Sequence, residues 1–274
     1  MPVLPPRSPN FLLVLLFTVT AFACCTSAIA ETFPIIDVRE GYLIGGVESG
    51  KWIEPSDAVA SVKAQTKLPV YGVAGQTGKV RVLKVDTERE PCPDRPVVKL
   101  DPRRVTRGAI AFAANWNPLP RKPQLLDGRQ KEYVDLVREF LREHGLGNPI
   151  VRISQVVRID LDGDGQDEIL ISATHYKNGD KVPEESSANT YSFVMLARVA
   201  AGKAKTELVA GEFYPEAKAD AAPNKYEIVA LLDLNGDGKI DIVVRSAYYE
   251  GDEVSVYELQ PSGFNKALSV GCGL

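Results

Sequence analysis

The 274-residue chain is poor in histidine and in the short motifs that mark many active sites. It contains only two histidines, His144 and His175, and neither lies in a motif that pairs it with a nucleophile. The nucleophile elbow GxSxG, the zinc motif HExxH and the phosphate-binding P-loop are all missing. Basic residues form no block and the net charge is −4, which argues against a nucleic-acid partner.

Long apolar runs are also scarce, and the clearest one lies at the N-terminus. Residues 11–23 follow the single cation Arg7 and precede small residues that end at Ala30. This run is shorter than the roughly 20 residues of a spanning helix, and its pattern predicts a secretory signal peptide over residues 1–30. A membrane anchor is one alternative, and a lipoprotein acylated at Cys24 or Cys25 is another. We expect an exported protein, periplasmic or extracellular, with no membrane span in the mature chain.

Cysteine is rare, and cleavage of the leader leaves two of the four, Cys92 and Cys272. Two remaining cysteines in an oxidising compartment usually pair. We therefore predict a disulfide that fastens the C-terminal end to the N-terminal half, with two unpaired thiols as the alternative. Loss of Arg7 leaves 31 basic against 36 acidic residues, a mildly acidic mature chain.

Short β-type runs dominate the rest of the sequence and predict a mainly β fold. Residues 31–115 carry β-branched and aromatic runs separated by glycine and proline, which predicts a small β-domain. Residues 116–150 are interpreted as a linker and a helix. The linker is the Pro-rich stretch NWNPLPRKPQ at 115–124. The helix is predicted at about 129–144, because apolar side chains recur there every three or four residues.

Residues 151–274 are predicted to form two β-repeat units. Each unit reads as strand, acidic turn, strand, hairpin and further strands. The acidic turns are DLDGDGQDE at 160–168 (loop 1) and DLNGDGKID at 233–241 (loop 2), 73 residues apart. Internal repetition of this kind indicates stacked supersecondary units.

Both loops carry oxygen-bearing side chains at positions 1, 3, 5 and 9 and a glycine at position 6. Position 7 varies from Gln to Lys, as expected if it contributes only its backbone carbonyl. The predicted metal ligands of loop 1 are Asp160, Asp162, Asp164, Gln166 and Glu168. Those of loop 2 are Asp233, Asn235, Asp237, Lys239 and Asp241.

Carboxylates this close together repel one another unless a cation neutralises them. Oxygen ligands in a flexible, glycine-containing loop favour Ca²⁺ over Mg²⁺ and over softer metals that prefer N or S. We therefore predict two calcium sites, with an ordinary Asp/Gly-rich turn as the alternative. The loops are not EF-hands, because position 12 is Ile171 or Val244 instead of Glu and both flanks are predicted strands.

An acidic loop followed by a β-run, EILISA or DIVVRSA, resembles the FG-GAP/VCBS-type repeats of integrin-α-like β-propellers. The resemblance covers residues 151–272. It implies that each loop joins two strands of a propeller blade and that calcium rigidifies the turn. Two units fall short of the four blades that close a propeller, so we expect closure with the N-terminal strands or packing as a small sandwich.

These patterns favour an exported, calcium-stabilised β-repeat protein without catalytic activity, acting as a binding or structural module. Its partner is predicted to be a protein or a glycan. A cell-wall- or polysaccharide-active hydrolase with structural calcium is the alternative, favoured by a cleft that holds two carboxylates outside the loops. A second alternative assigns peptide or glycan binding to the N-terminal β-domain, in the manner of an SH3-like module.

Overall fold

The computed structural model describes residues 1, 31–102, 110–179, 181–200 and 203–273. The predicted signal peptide, apart from Met1, lies outside the described residues. The fold is mainly β, with 51% of residues in strands and 9% in helices, as the sequence predicts. No helix in this described part combines the length and the apolarity that crossing a bilayer requires.

The N-terminal half forms a seven-stranded antiparallel sheet that curls on itself. Its strands are β1 (Thr32–Asp37), β2 (Leu43–Glu48), β3 (Lys51–Ile53), β4 (Lys67–Gly72), β5 (Gly75–Asp86), β6 (Val97–Asp101) and β7 (Ile110–Ala111), in the order β3-β2-β1-β7-β4-β5-β6. The curl brings β6 back to the start of β2, where Val98 N–H donates to Gly41 O at 2.7 Å. A short helix, α1 (Pro55–Ala58), and a 3₁₀ turn (Val59–Ser61) connect β3 to β4.

A five-stranded antiparallel sheet contains loop 1. Its strands are β8 (Gln124–Leu125), β9 (Ile153–Ile159), β10 (Glu168–His175), β11 (Thr190–Ala200) and β12 (Lys203–Tyr214), in the order β12-β11-β10-β9-β8. The predicted amphipathic helix is α2 (Lys131–Glu143), and it packs on this sheet through Val137, Phe140 and Leu141. Gly145 follows the helix at φ +88°, a left-handed conformation that favours glycine.

A four-stranded antiparallel sheet contains loop 2. Its strands are β13 (Lys225–Leu232), β14 (Asp241–Tyr248), β15 (Gly251–Gln260) and β16 (Gly263–Gly273), paired in sequence order. Strands β9–β12 pair in the same order. The repeat seen in the sequence therefore corresponds to two successive four-stranded meanders.

The four-stranded sheet is the middle of three layers. Side chains alternate along β14, so Val243 packs in the core shared with the seven-stranded sheet. Ile242 and Val244 pack in the core shared with the five-stranded sheet. Each outer sheet has a further core on its other face, closed by α1 in one case and by α2 in the other. Apolar packing is thus continuous across all three sheets.

The structure pairs Cys92 with Cys272, as the sequence predicts. The Cα atoms are 6.0 Å apart and the two residues are separated by 180 positions. The bridge joins the segment before β6 to the last strand of the central sheet. A cross-link of this span restricts the unfolded chain strongly.

Replacing both cysteines, Cys92→Ala with Cys272→Ala, is expected to lower the free energy of unfolding by about 2–5 kcal/mol, because the unfolded chain regains the entropy of a long loop. Urea unfolding monitored by circular dichroism measures the change. Wild-type protein in reducing agent is the control and is expected to unfold at the midpoint of the double variant. Equal midpoints for the variant and the oxidised wild type would contradict the prediction.

Candidate metal centre

Loop 1 and loop 2 occupy the same place in their sheets. Loop 1 connects β9 to β10, and loop 2 connects β13 to β14. Position 9 of each loop already lies in the strand ladder, with Glu168 opposite Ile159 and Asp241 opposite Leu232. The ladder therefore closes both loops at the same point and holds their ends together.

Five hydrogen bonds fold each loop, and they are the same five in both. The position 1 carboxylate accepts from the N–H groups of positions 4 and 6. The side chains of positions 3 and 5 accept from the N–H groups of positions 5 and 7, and the position 9 carboxylate accepts from position 2. Their lengths span 2.7–3.2 Å in loop 1 and 2.7–3.1 Å in loop 2. The acidic side chains thus turn inward around a common centre.

Glycines at positions 4 and 6 allow this conformation. Their φ angles are +83° and +86° in loop 1 and +77° and +83° in loop 2. Residues with a Cβ rarely adopt such angles. The sequence identified the glycine at position 6, whereas the glycine at position 4 is equally required by the observed backbone.

The first three acids of loop 1 lie close together. One carboxylate oxygen from each of Asp160, Asp162 and Asp164 lies within 4.8 Å of the others. The side-chain nitrogen Nε2 of Gln166 donates to Asp164 Oδ2 at 3.2 Å. Glu168 is buried and holds the loop closed with one oxygen, Oε2.

Loop 2 is more deeply buried than loop 1. Asp233 and Asn235 at positions 1 and 3 are buried, whereas Asp160 and Asp162 at the same positions of loop 1 are half-buried. Positions 4 to 6 are exposed in both loops, and position 9 is buried in both. The amide of Asn235 takes the place of a carboxylate at position 3. Loop 2 therefore offers fewer charges in a more enclosed frame.

Burial shifts the pKa of three of these acids. It raises the pKa of Glu168 and Asp233, and it raises the pKa of Asp241 well above its ordinary value. Neighbouring carboxylates of the same loop add to each rise. The charged forms are costly in this environment unless positive charge is close.

The segment 115–124, which we call the bridging segment, crosses both loops. Trp116 Nε1–H donates to Asp233 O at 2.9 Å, and Arg121 Nε–H donates to Asp160 O at 2.6 Å. Both acceptors are the position 1 carbonyl of their loop. The two unlike side chains therefore make equivalent contacts in the two repeats.

The equivalence extends to the position 4 glycines. A Cβ built on Gly236 would lie 3.2 Å from the Trp116 ring, and one built on Gly163 would lie 3.2 Å from an Arg121 guanidinium nitrogen. Each loop is thus covered by a flat side chain at the same place. The sequence analysis interprets this Pro-rich stretch as a linker and does not predict these contacts, because they join residues far apart in the chain.

The loops also touch each other. Ile240 N–H of loop 2 donates to Leu161 O of loop 1 at 2.8 Å. Arg121 Nη2 donates to Leu161 O at 3.1 Å and to Gly238 O at 2.6 Å, so one guanidinium group holds carbonyls of both loops. The sequence predicted two loops but not their contact.

The two histidines lie in different surroundings. His144 stacks on Phe213 with ring centroids 4.1 Å apart, and its Nδ1 is 2.8 Å from Phe140 O. His175 Nδ1 is buried and finds no hydrogen-bond partner within the described part of the chain, and burial lowers the pKa of this histidine. His144 therefore packs against the helix and the five-stranded sheet.

A surface cleft of about 520 Å³ lies beside the disulfide and contains two carboxylates outside the loops, Asp252 and Glu253. Asp252 accepts a hydrogen bond from the buried Arg245 guanidinium group, and it accepts another from the Tyr42 hydroxyl at 3.0 Å. Glu253 accepts from Lys266 Nζ at 2.9 Å. Both carboxylates are thus paired with cations.

No protein-family model, curated protein or solved structure matches this chain. The resemblance to FG-GAP/VCBS-type repeats stays a prediction from the loops and their flanking strands. The role of the loops is therefore inferred from the geometry of this chain alone.

Alanine substitution of two loop 2 glycines tests the cover that Trp116 provides. Gly236→Ala and Gly238→Ala both place a Cβ in the left-handed region, which costs about 1–2 kcal/mol. Apart from its chain neighbours, no described heavy atom lies within 4 Å of a Cβ built on Gly238, whereas the Trp116 ring lies 3.2 Å from a Cβ built on Gly236. We expect Gly236→Ala to lower the free energy of unfolding further than Gly238→Ala, as measured by urea unfolding. A smaller loss in Gly236→Ala would show that Trp116 does not press on this position.

Proposed function

We propose that the protein is an exported calcium-binding β-repeat protein that acts as a non-catalytic binding or structural module. The observation that carries the proposal is the convergence of Asp160, Asp162 and Asp164 within 4.8 Å. Loop 2 repeats the same backbone hydrogen bonds 73 residues later. Partners of a module of this kind are a protein or a glycan.

Calcium is the cation that these donors suit best. All predicted side-chain ligands at positions 1, 3, 5 and 9 offer oxygen, and position 7 offers a backbone carbonyl. Calcium accepts six to eight such ligands in a flexible arrangement, whereas Mg²⁺ keeps several waters. Two loops give two ions for each chain.

The ions would act on stability through the sheet ladders. Each loop fixes where one strand ends and the next begins, so an ion that orders the loop stabilises the native register of β9 with β10 or of β13 with β14. The cost of burying Glu168, Asp233 and Asp241 is offset by the same positive charge.

The cleft that holds Asp252 and Glu253 favours the second candidate, a hydrolase with structural calcium. A general acid needs a raised pKa. Burial alone raises the pKa of Glu253, but hydrogen bonds from Lys266 and Ser255 lower it overall. That environment keeps Glu253 ionised and weighs against a role as the acid of a glycosidase.

Removal of calcium is expected to lower the melting temperature of the mature protein, and millimolar calcium is expected to restore it. Binding to the native state alone contributes about 2.7 kcal/mol at a hundredfold excess over Kd. Differential scanning calorimetry on metal-free protein measures the shift, with magnesium as the control cation. Identical melting curves in chelator and in calcium would refute the proposal.

Loop 1 is expected to bind calcium more tightly than loop 2. It offers four carboxylates at the ligand positions, whereas loop 2 offers three and carries the cation Lys239, and affinity in such loops rises with ligand charge. Calorimetric titrations of Asp162→Ala and Asp237→Ala separate the two events. The ranking is wrong if the Asp162 variant keeps the tighter event and the Asp237 variant loses it.

A further inference from the structure

We propose that the two loops bind calcium with positive cooperativity, and that Arg121 is the positioning residue that couples them. This inference rests on the proposed function, since it concerns the regulation of the same two sites. It depends on contacts that lie outside the acidic clusters, between the bridging segment and the backbone of both loops.

Arg121 hydrogen-bonds to the backbone of both loops, so its position depends on the conformation of each. Its Nε–H and Nη2–H groups hold the carbonyls of Asp160 and Leu161 in loop 1, at 2.6 and 3.1 Å. The same Nη2 holds the carbonyl of Gly238 in loop 2 at 2.6 Å. Because the guanidinium group is planar and rigid, a shift that keeps its hydrogen bonds to one loop changes its hydrogen bonds to the other.

A second contact runs in parallel with the first. Ile240 N–H donates to Leu161 O at 2.8 Å, so Leu161 O receives donors from loop 2 and from Arg121 together. Leu161 is position 2 of loop 1, and its own N–H is held by the ligand-position residue Glu168 at 2.8 Å. A chain of hydrogen bonds thus links the acids of loop 1 to the backbone of loop 2.

The direction of the coupling follows from ordering. An ion in loop 1 fixes the carbonyls of positions 1 and 2, and they in turn fix Arg121 and Ile240. Loop 2 then loses less conformational freedom when its own ion binds, which is positive cooperativity. Arg121 also carries a charge near Asp160, with Nε 4.0 Å from Oδ2, so it affects absolute affinity separately. Coupling must therefore be measured as a ratio of affinities.

Trp116 provides a reporter for loop 2 alone. Its ring lies against Gly236 and its Nε1–H holds Asp233 O, so ion binding in loop 2 changes the surroundings of the indole. The chain has two tryptophans, and Trp52→Phe leaves Trp116 as the single one. Calcium chloride titrated into this protein at constant ionic strength gives the loop 2 midpoint by tryptophan fluorescence.

The experiment is a double-mutant cycle in this Trp52→Phe protein. Asp162→Ala disables loop 1, and it is expected to raise the calcium midpoint of loop 2 by about fivefold or more, the lower range for allosteric coupling. In an Arg121→Met background the same substitution is expected to raise the midpoint by less than about twofold. Arg121→Lys keeps the charge but loses the fork, and it is expected to lose most of the coupling as well.

Lys122→Met is the matched control. Lys122 is exposed, carries the same charge and is the next residue along the bridging segment, so this variant is expected to keep the fivefold effect. Circular dichroism confirms that each variant is folded.

An equal Asp162→Ala effect with and without Arg121, or no effect in either, would overturn the inference while calorimetry still finds two calcium ions. No calcium uptake at either loop would overturn the proposed function together with the inference.

Discussion

The four-stranded sheet β13–β16 carries apolar side chains on both faces, and the rest of the architecture follows from the need to cover both. Val243 and Val256 point into one core, whereas Ile242 and Val244 point into the other. Burial of apolar area, which contributes about 25 cal/mol per Å², is the main force that packs other sheets against these two faces. A sheet of this kind must lie between two others, and the curled N-terminal sheet and the five-stranded sheet take those places. The three layers then bring together loops that are 73 residues apart in the chain.

The position of one layer on the next is fixed by polar contacts as well as by apolar packing. The Gln155 amide on β9 donates to Ile228 O and accepts from Ile228 N–H, both at 2.9 Å. Ile228 lies beside the irregular register of β13, where its backbone groups need partners from outside the strand ladder. One side chain therefore satisfies a break in the central sheet and locks the two sheets in register. That register brings Leu161 within hydrogen-bond distance of Ile240.

Local pattern was sufficient to predict the helix, most strands of the repeats, the disulfide and the acidic loops, because each depends on periodicity, turn residues or the scarcity of cysteine. The contact between the loops was not predictable, since it depends on how two sheets stack. The role of the bridging segment was hidden for a related reason. Proline-rich chain indicates irregular backbone, but the backbone type says nothing about which surface the chain follows. Trp116 and Arg121 contact the loops because, in the fold, the bridging segment runs across both of them.

Arg121 illustrates how a cation can organise an acidic site without occupying it. Its short hydrogen bonds go to backbone carbonyls of both loops, whereas its Nε is 4.0 Å from the Asp160 carboxylate oxygen Oδ2. Among the described residues, the loop carboxylates accept backbone N–H groups of their own loop, and Asp164 also accepts the side-chain amide of Gln166. Neutral dipoles of this kind orient the oxygens but do not cancel their charge. The loops are therefore held in shape from outside by one cation, which contacts their backbone at closer range than their carboxylates.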